Sequence, residues 1–433
     1  MDWLAHAAEN RPDAPAIVFG DRTISYADLD RAANAVAGMV LGAGLEGSGV
    51  AFWGERDPAT VAAVWGVCRA GSVAVPVDSR LPPAEAMRLT RDAGVRGLFP
   101  IPEEGIDALL DRRAPDETPA WGPPDPSSRF VVFTSGSEGA HRGVILTGEN
   151  ISAAVAGSRE RLGNGPDDAW LCVLPLFHVG GLSILWRQAE QGAPVALESR
   201  FDPARIGRLL GTAAFSSLVP TMLQRVLDAG PVLGSGRVLV GGGPADPSLL
   251  RSALEAGVPA LQTYGLTETA SQVTTVAPGD EETDLGTAGR PIPGAEVRIA
   301  EGRIEVRGPM VTPGYLGEPE REPGSWFTTG DLGEIDGRGR LTVIGRADSV
   351  IVTGGENVHP TSVERALRSC PGVVDARVFG VADDEWGRRV VAEVVLDGVG
   401  VAEVREWVAS RLTPSEIPKE WRTVEKLPGK LEG

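Results

Sequence analysis

The chain of 433 residues carries 41 Lys plus Arg against 59 Asp plus Glu, a formal charge of −18. So acidic a chain is excluded as a general binder of nucleic-acid backbone, which needs net cationic surface, and any anionic ligand has to be held by a local site. No apolar run approaches the ~20 residues that span a bilayer, and the start Met1-Asp2-Trp3 lacks a signal peptide's cationic stretch, so a cytoplasmic protein without membrane insertion is expected.

Residues 27–41 place apolar side chains at three- and four-residue intervals, an amphipathic helix that Ser25 is suited to cap. Residues 49–53 (GVAFW) read as a short buried strand, 58–70 as a helix and 72–77 (SVAVPV) as a second strand. Strands separated by helices argue for a parallel, doubly wound sheet covered on both faces. The Pro- and Asp-rich stretch 114–128 is a loop or linker between two such subunits. Beyond it, 130–133 and 170–174 are strand-like, 203–210 is helical, and 238–240 is a strand running into a glycine triplet. From 286 to 343 short strands punctuated by glycine, such as RIEVRG and RLTVIG, predict a small antiparallel sheet or barrel. After Gly345 a strand, a helix at 361–368, strands at 376–381 and 390–396 and a helix at 401–411 predict a compact α+β tail. The expected fold class is α/β, with the boundary at 346–349: a large domain of doubly wound sheets plus a barrel-like part, 1–345, and a small domain, 346–433. The three scattered cysteines, Cys68, Cys172 and Cys370, form neither a disulfide framework nor a zinc cluster and are expected as buried free thiols.

Six segments could carry chemistry. Thr134-Ser135-Gly136-Ser137-Glu138-Gly139 follows the strand FVVF, where hydroxyls and backbone N–H groups can wrap phosphates. It is neither a Walker loop nor a nucleophile elbow, and alone it reads equally well as a Gly/Ser-rich surface turn. His178, before Gly180-Gly181, could line a pocket, although a structural histidine is the usual outcome. Gly241-Gly242-Gly243-Pro244 is a tight turn where backbone can approach a flat ligand. In Thr263-Tyr264-Gly265-Leu266-Thr267-Glu268 an aromatic, a hydroxyl and a carboxylate could stack a base, bond a phosphate and hold a hard cation. Asp331, after Thr328-Thr329-Gly330, could accept two sugar hydroxyls; Arg346 and Asp348 sit at the boundary, with Gly354-Gly355-Glu356 just beyond. Each by itself could be turn chemistry.

In this order and spacing the motifs resemble the adenylate-forming superfamily of acyl-CoA synthetases, adenylation domains and luciferase, from about residue 12 to the C-terminus. The resemblance implies an enzyme in which a carboxylate attacks the α-phosphorus of ATP to give an acyl-adenylate, after which a thiol, usually coenzyme A, displaces AMP. It implies that Thr134, Ser135, Gly136, Ser137 and Gly139 embrace the β- and γ-phosphates, with Arg142 beside them. Gly241, Gly242, Gly243 and Pro244 would lie along the adenine and Tyr264, followed by Gly265, would stack on it. Thr267 would meet the α-phosphate, Glu268 would hold Mg²⁺, and Asp331 the ribose, with Arg346 nearby. Asp348 matches the hinge of a mobile small domain that completes the active site, and Gly354, Gly355 and Glu356 would line the pantetheine channel. His178 would flank the substrate carboxylate.

Within the superfamily the runs WLCVLPLFHVGGLSILWR, YGLTETASQ and GRADSVIVTGGENVHP look most like the o-succinylbenzoate–CoA ligases of menaquinone biosynthesis. Such an acid has two carboxylates, and Arg187 could grip the one not activated, or could be a surface ion pair; Ser271 could add a polar contact. Adenylation of another acid, transfer to a carrier-protein thiol, and a degenerate adenylate-binding non-enzyme are the other readings. The partners implied are a small carboxylic acid, ATP and coenzyme A, and whether the chain forms a homo-oligomer stays open.

The pattern is departed from in three places. Glu138 replaces a hydroxyl, and His141-Arg142 replaces the usual Pro-Lys. At the end, Leu427-Pro428 runs straight into Gly429-Lys430, a loop about four residues short, which removes up to roughly 13 Å of reach. Lys430 is nonetheless the candidate for the lysine that bridges carboxylate and α-phosphate. The chain has only three lysines, Lys419, Lys426 and Lys430, all near this end.

Overall fold

Local signals set the first elements. The Ser25 side chain accepts from the Asp28 N–H and starts the helix Tyr26–Gly42; Asp57 accepts from the N–H groups of Ala59 and Thr60 and starts Pro58–Arg69. Each such cap stabilises its helix by ~1 kcal/mol. The computed structural model describes residues 2–95, 98–102, 105–112, 129–135, 141–234, 236–383 and 386–427, apart from the side chains of Asp92, Arg129 and Ser135. The fold is mixed α/β, and the chain divides into two compact units, one of residues 1–245, 249–296 and 306–327 and the other of 246–248, 297–305 and 328–433.

The first unit is built on two sheets. Nine strands run in the order Arg290–Pro291, Ser271–Thr275, Ala260–Leu266, Arg237–Val240, Phe215–Leu218, Trp170–Cys172, Val195–Leu197, Pro15–Phe19 and Arg22–Ser25. The six from Ala260–Leu266 to Pro15–Phe19 are parallel, and the outer pairings are antiparallel. Leu171 and Val173 pack against Ile206, Leu223 and Leu250 of three helices. Trp170 faces the other way, as alternation along a strand requires, and lies beneath the helix Val179–Gln191. A second sheet has five strands in the order Gly314–Tyr315, His141–Thr147, Arg129–Ser135, Val73–Val77 and Gly49–Trp53; the last three are parallel.

The helix Gly148–Leu162 has no counterpart among the expected elements. Its Thr147–Asn150 capping box uses Asn where the usual signature has Glu or Gln, which hides the start. Mostly within the second unit, Glu296–Ala300, Arg303–Arg307, Phe327–Ile335 and Leu341–Arg346 form a four-stranded sheet from the Gly-punctuated region. Beyond it, the long antiparallel pair Val373–Asp383 and Gly387–Leu396 packs with the helices Pro360–Arg368 and Val401–Ala409 around Val363, Leu367, Val394 and Val404. The cysteines are free thiols; Cys172 and Cys370 are buried, whereas Cys68, expected to be buried as well, is intermediate, in the last turn of its helix. Among the described residues no helix is long and apolar enough to cross a membrane.

Candidate active site

Parallel strands deliver loops at one edge of their sheet, their carboxyl ends, where ligands of open α/β folds bind. Three expected segments arrive there: His178 after Trp170–Cys172, Gly241 to Pro244 after Arg237–Val240, and Thr267 and Glu268 after Ala260–Leu266. The pairing of Val240 with Gln262 leaves Gly241 close to Thr263, and a Cβ on Gly241 would come within 2.7 Å of the Thr263 Cγ2. Gly242 has φ +74°, a conformation side chains resist, while Gly243 and Pro244 are exposed. Tyr264 is buried, and a Cβ on Gly265 would collide with the Ser271 carbonyl.

Thr267 and Glu268 open a short 3₁₀ turn, both half-buried. The Tyr315 hydroxyl donates to Glu268 Oε1 at 2.8 Å, and the Thr312 N–H donates to the Glu268 carbonyl at 2.7 Å. The Arg142 guanidinium lies over the Tyr315 ring, 3.4 Å from its centroid, and Nη2 donates to Glu318 Oε1 at 2.7 Å. Arg142 pairs across the hairpin with Thr134, whose hydroxyl donates to the Arg142 carbonyl at 3.4 Å. Burial, with the charge of Glu268, pushes the Tyr315 phenol well above its ordinary range, so it remains a donor at working pH. Among the described residues no group of three His, Cys, Asp or Glu could cage a metal. One fixed carboxylate fits instead a magnesium ion that arrives on a nucleotide and takes most ligands from phosphate and water.

A second cluster lies on the helix Val179–Gln191. Arg187 is 4% exposed; its Nη2 donates to the Ser271 hydroxyl at 3.3 Å and its guanidinium lies 5.2 Å from the Trp170 ring centroid. Its Nε has no partner, and among the described residues no carboxylate pairs with it. Burial pushes its pKa down to about 9, still well above neutrality, so the side chain is a buried cation rather than a surface ion pair. Ser271 has φ +108°, a strained conformation for a residue with a side chain, and its hydroxyl also meets that of Ser183 at 3.3 Å. At the start of the helix His178 keeps an open face, its ring 4.6 Å from that of Phe177. The protein packed round it pushes its pKa below the ordinary histidine value, with Asp78 opposing and Arg80 reinforcing that shift, so the imidazole is neutral at pH 7.

In the second unit Asp331, Arg346 and Asp348 are joined. Asp331 is 8% exposed and lies 3.6 Å from Arg346 Nη1, while Arg346 Nη2 bonds Asp348 Oδ2 at 3.0 Å. Gly354 and Gly355 have φ +57° and +85° in the tight turn between Ile351–Thr353 and Glu356–Val358, and Glu356 is exposed. Gly136, Ser137 and Gly139 of the expected phosphate loop, and Lys430, lie outside the described residues. Tyr315 and Glu318 were not singled out from sequence. The available signal was scarcity, since Tyr26, Tyr264 and Tyr315 are the chain's only tyrosines.

Residues 4–316 match the family model of the AMP-binding enzymes and residues 362–433 that of the AMP-binding enzyme C-terminal domain, and the chain belongs to this family. The 2-succinylbenzoate–CoA ligase of Listeria monocytogenes serotype 4b is 34% identical over 455 residues, covering 100% of this chain and 97% of that enzyme. The o-succinylbenzoate CoA synthetase of Bacillus subtilis, solved with its acyl-adenylate intermediate, is similar with a TM-score of 0.88 at 29% identity, over 99% of this chain and 95% of that one. The same enzyme has been solved with ATP and a magnesium ion (TM-score 0.87, 30% identity, 99% and 96% covered). ATP-bound MatB of Rhodopseudomonas palustris matches at a TM-score of 0.89 with 26% identity, over 100% and 96% of the two chains.

Proposed function

We propose that the chain is an ATP-dependent, AMP-forming acid–CoA ligase whose acid is 2-succinylbenzoate, a reaction of menaquinone biosynthesis. The observation that carries the choice of acid is Arg187, a buried cation with no carboxylate beside it among the described residues. A substrate with a second carboxylate supplies the charge that burial leaves uncompensated, and a planar guanidinium accepts it through two parallel hydrogen bonds. The strained Ser271 hydroxyl, held against Arg187, adds a polar contact at the same place. The full-length similarity to 2-succinylbenzoate–CoA ligases supports the same reading.

In the first half-reaction the other carboxylate attacks the α-phosphorus and pyrophosphate leaves; in the second the coenzyme A thiol displaces AMP. A neutral His178 lets the attacking carboxylate approach without a competing ion pair. Thr267 donates toward the α-phosphate, and Arg142 with the loop from Thr134 through Ser135, Gly136 and Ser137 to Gly139 holds the outer phosphates. Gly241 to Pro244 and Tyr264 take the adenine. Glu268 holds the magnesium ion, which when bound neutralises charge on the phosphates. Asp331 with Arg346 is assigned the ribose, Asp348 the hinge between 1–345 and 346–433, Gly354 to Glu356 the pantetheine, and Lys430 the bridge from acid to α-phosphate. The protein works in the cytoplasm on small molecules.

The test is a panel of carboxylic acids incubated with protein, ATP, Mg²⁺ and coenzyme A, with AMP release measured. Coenzyme-dependent release with 2-succinylbenzoate is expected. Turnover of another acid with none of 2-succinylbenzoate would sink the choice of acid. Absence of pyrophosphate exchange with every acid would sink the ligase.

A further inference from the structure

The residues from 312 to 318 touch both the carboxylate assigned to magnesium and the strand that leaves the phosphate loop. Thr312 holds the Glu268 backbone through its N–H, 2.7 Å from the Glu268 carbonyl, and its hydroxyl donates to the Ile145 carbonyl. Gly314 and Tyr315 then pair antiparallel with Ile145 and Val144, and the Leu316 N–H donates to the Gly143 carbonyl at 2.9 Å. Gly143 lets the two strands approach closely, since a Cβ there would come within 2.6 Å of the Leu316 Cδ1 and push that side chain aside. One side chain in this segment reaches both charged groups: the Tyr315 hydroxyl bonds Glu268 Oε1 at 2.8 Å, and the Tyr315 ring carries the Arg142 guanidinium at 3.4 Å.

We propose that Tyr315 is a positioning residue that sets the magnesium-binding carboxylate of Glu268 with its hydroxyl and seats Arg142 for the outer phosphates with its ring. The proposal rests on the nucleotide reading above and adds a residue that the six sequence motifs do not contain. A carboxylate on a short turn can rotate about its side-chain bonds. A donor fixed to one oxygen removes that freedom and aims the other oxygen, and such outer partners are worth ~10–100-fold in metal affinity. The ring contributes separately. Stacking holds the guanidinium flat without neutralising it, so its N–H groups keep their charge for phosphate. A tyrosine kept only to fill space would need the ring and not the hydroxyl.

Tyr315→Phe keeps the ring and removes the bond to Glu268, while Tyr315→Leu removes both. Calorimetric titration of the full chain with ATP, without metal and then with Mn²⁺, separates the two parts, and the Mg²⁺ dependence of acid-driven pyrophosphate exchange gives a second reading. The Phe variant is expected to need ~10-fold more metal, with metal-free ATP affinity and melting temperature unchanged. The Leu variant is expected to lose in addition ~5-fold in metal-free ATP affinity. In a Glu268→Gln background the Phe substitution should have no further effect on metal dependence. A Phe variant with wild-type metal dependence overturns the proposal, as does equal loss of metal and metal-free ATP binding. Wild-type protein that binds no Mn²⁺–ATP brings down the nucleotide reading itself, and the proposal with it.

Discussion

Two arginines of the first unit stand in opposite states. Arg142 is ion-paired with Glu318, and both side chains are close to half exposed, at 45% and 49%. Arg187 is almost wholly enclosed and meets a hydroxyl and an aromatic face instead of an anion. An exposed pair contributes ~0–1 kcal/mol and exchanges partners cheaply, which suits the role proposed for Arg142 at the nucleotide. A buried cation without a counter-charge costs the fold several kcal/mol, and only something bound there returns it. On the proposed function, the contrast separates an arginine that swaps its anion from one that lacks an anion until substrate arrives. On the proposed function, the choice of acid lies with what is enclosed around Arg187.

The largest effect should come from removing the enclosed charge. Arg187→Met keeps the length and apolar stem of the side chain. Steady-state kinetics should show kcat/KM for 2-succinylbenzoate falling ~100-fold, mainly through KM, since a buried charge pair is worth ~2–5 kcal/mol. An acid with a single carboxylate should be used equally by both proteins. The ligand-free variant should be more stable by ~1–4 kcal/mol in urea unfolding, because an uncompensated charge gives way to an apolar chain. A variant that is less stable and loses both acids alike would make Arg187 a packing element and dissolve the contrast.

A smaller effect follows from titration. Burial lowers the Arg187 pKa to about 9 in the fold, while the unfolded chain keeps its ordinary, much higher value. Below pH 9 both states hold the proton and the cost of the buried charge is constant. Above it the unfolded chain binds more protons, so this group's contribution to stability rises with pH. Binding runs the other way, because the cation that attracts the second carboxylate is lost. The KM for 2-succinylbenzoate should therefore climb ~10-fold between pH 8 and pH 10 in the wild type and stay flat in Arg187→Met. Parallel profiles in the two proteins would assign the climb to another group.

What could be read beforehand follows the distance over which each signal acts. Ser25 and its helix were legible because cap, period and stop all lie within one segment, and expected residues 27–41 differ from Tyr26–Gly42 by one at each end. The strand expected at 376–381 is in fact Val373–Asp383, since its length is set by Gly387–Leu396, to which it is paired along its length apart from a bulge at Val374. The six motifs were legible as a set because their order carries information that no single turn has. The state of Arg187 was not, because its neighbour Ser271 is 84 residues away. Burial there is decided by packing and by a strained backbone that no propensity encodes. Tyr315 was missed for the same reason, its partner Glu268 being 47 residues distant on a short 3₁₀ turn. The residues that hold and tune a site come from tertiary neighbours, whereas those that name it come from loops that stay contiguous.

The smallest effect tests the other half of the contrast. If Glu318 only keeps Arg142 occupied between turnovers, ATP must displace it each time, and the exposed geometry makes that displacement cheap. Glu318→Gln retains a hydrogen-bond acceptor and removes the competing charge. The KM for ATP should fall ~2–3-fold at low ionic strength, as a surface pair of under ~1 kcal/mol allows. The gain should shrink as salt is raised toward 0.5 M, where exposed charges are screened within a few ångströms. Acid KM should not move, because Arg187 is out of reach of that exchange. A rise in ATP KM would instead mean that Glu318 helps Tyr315 hold Arg142 in its working orientation. The pair would then be part of the seat rather than a competitor for it, and both arginines would be waiting for ligand in the same way.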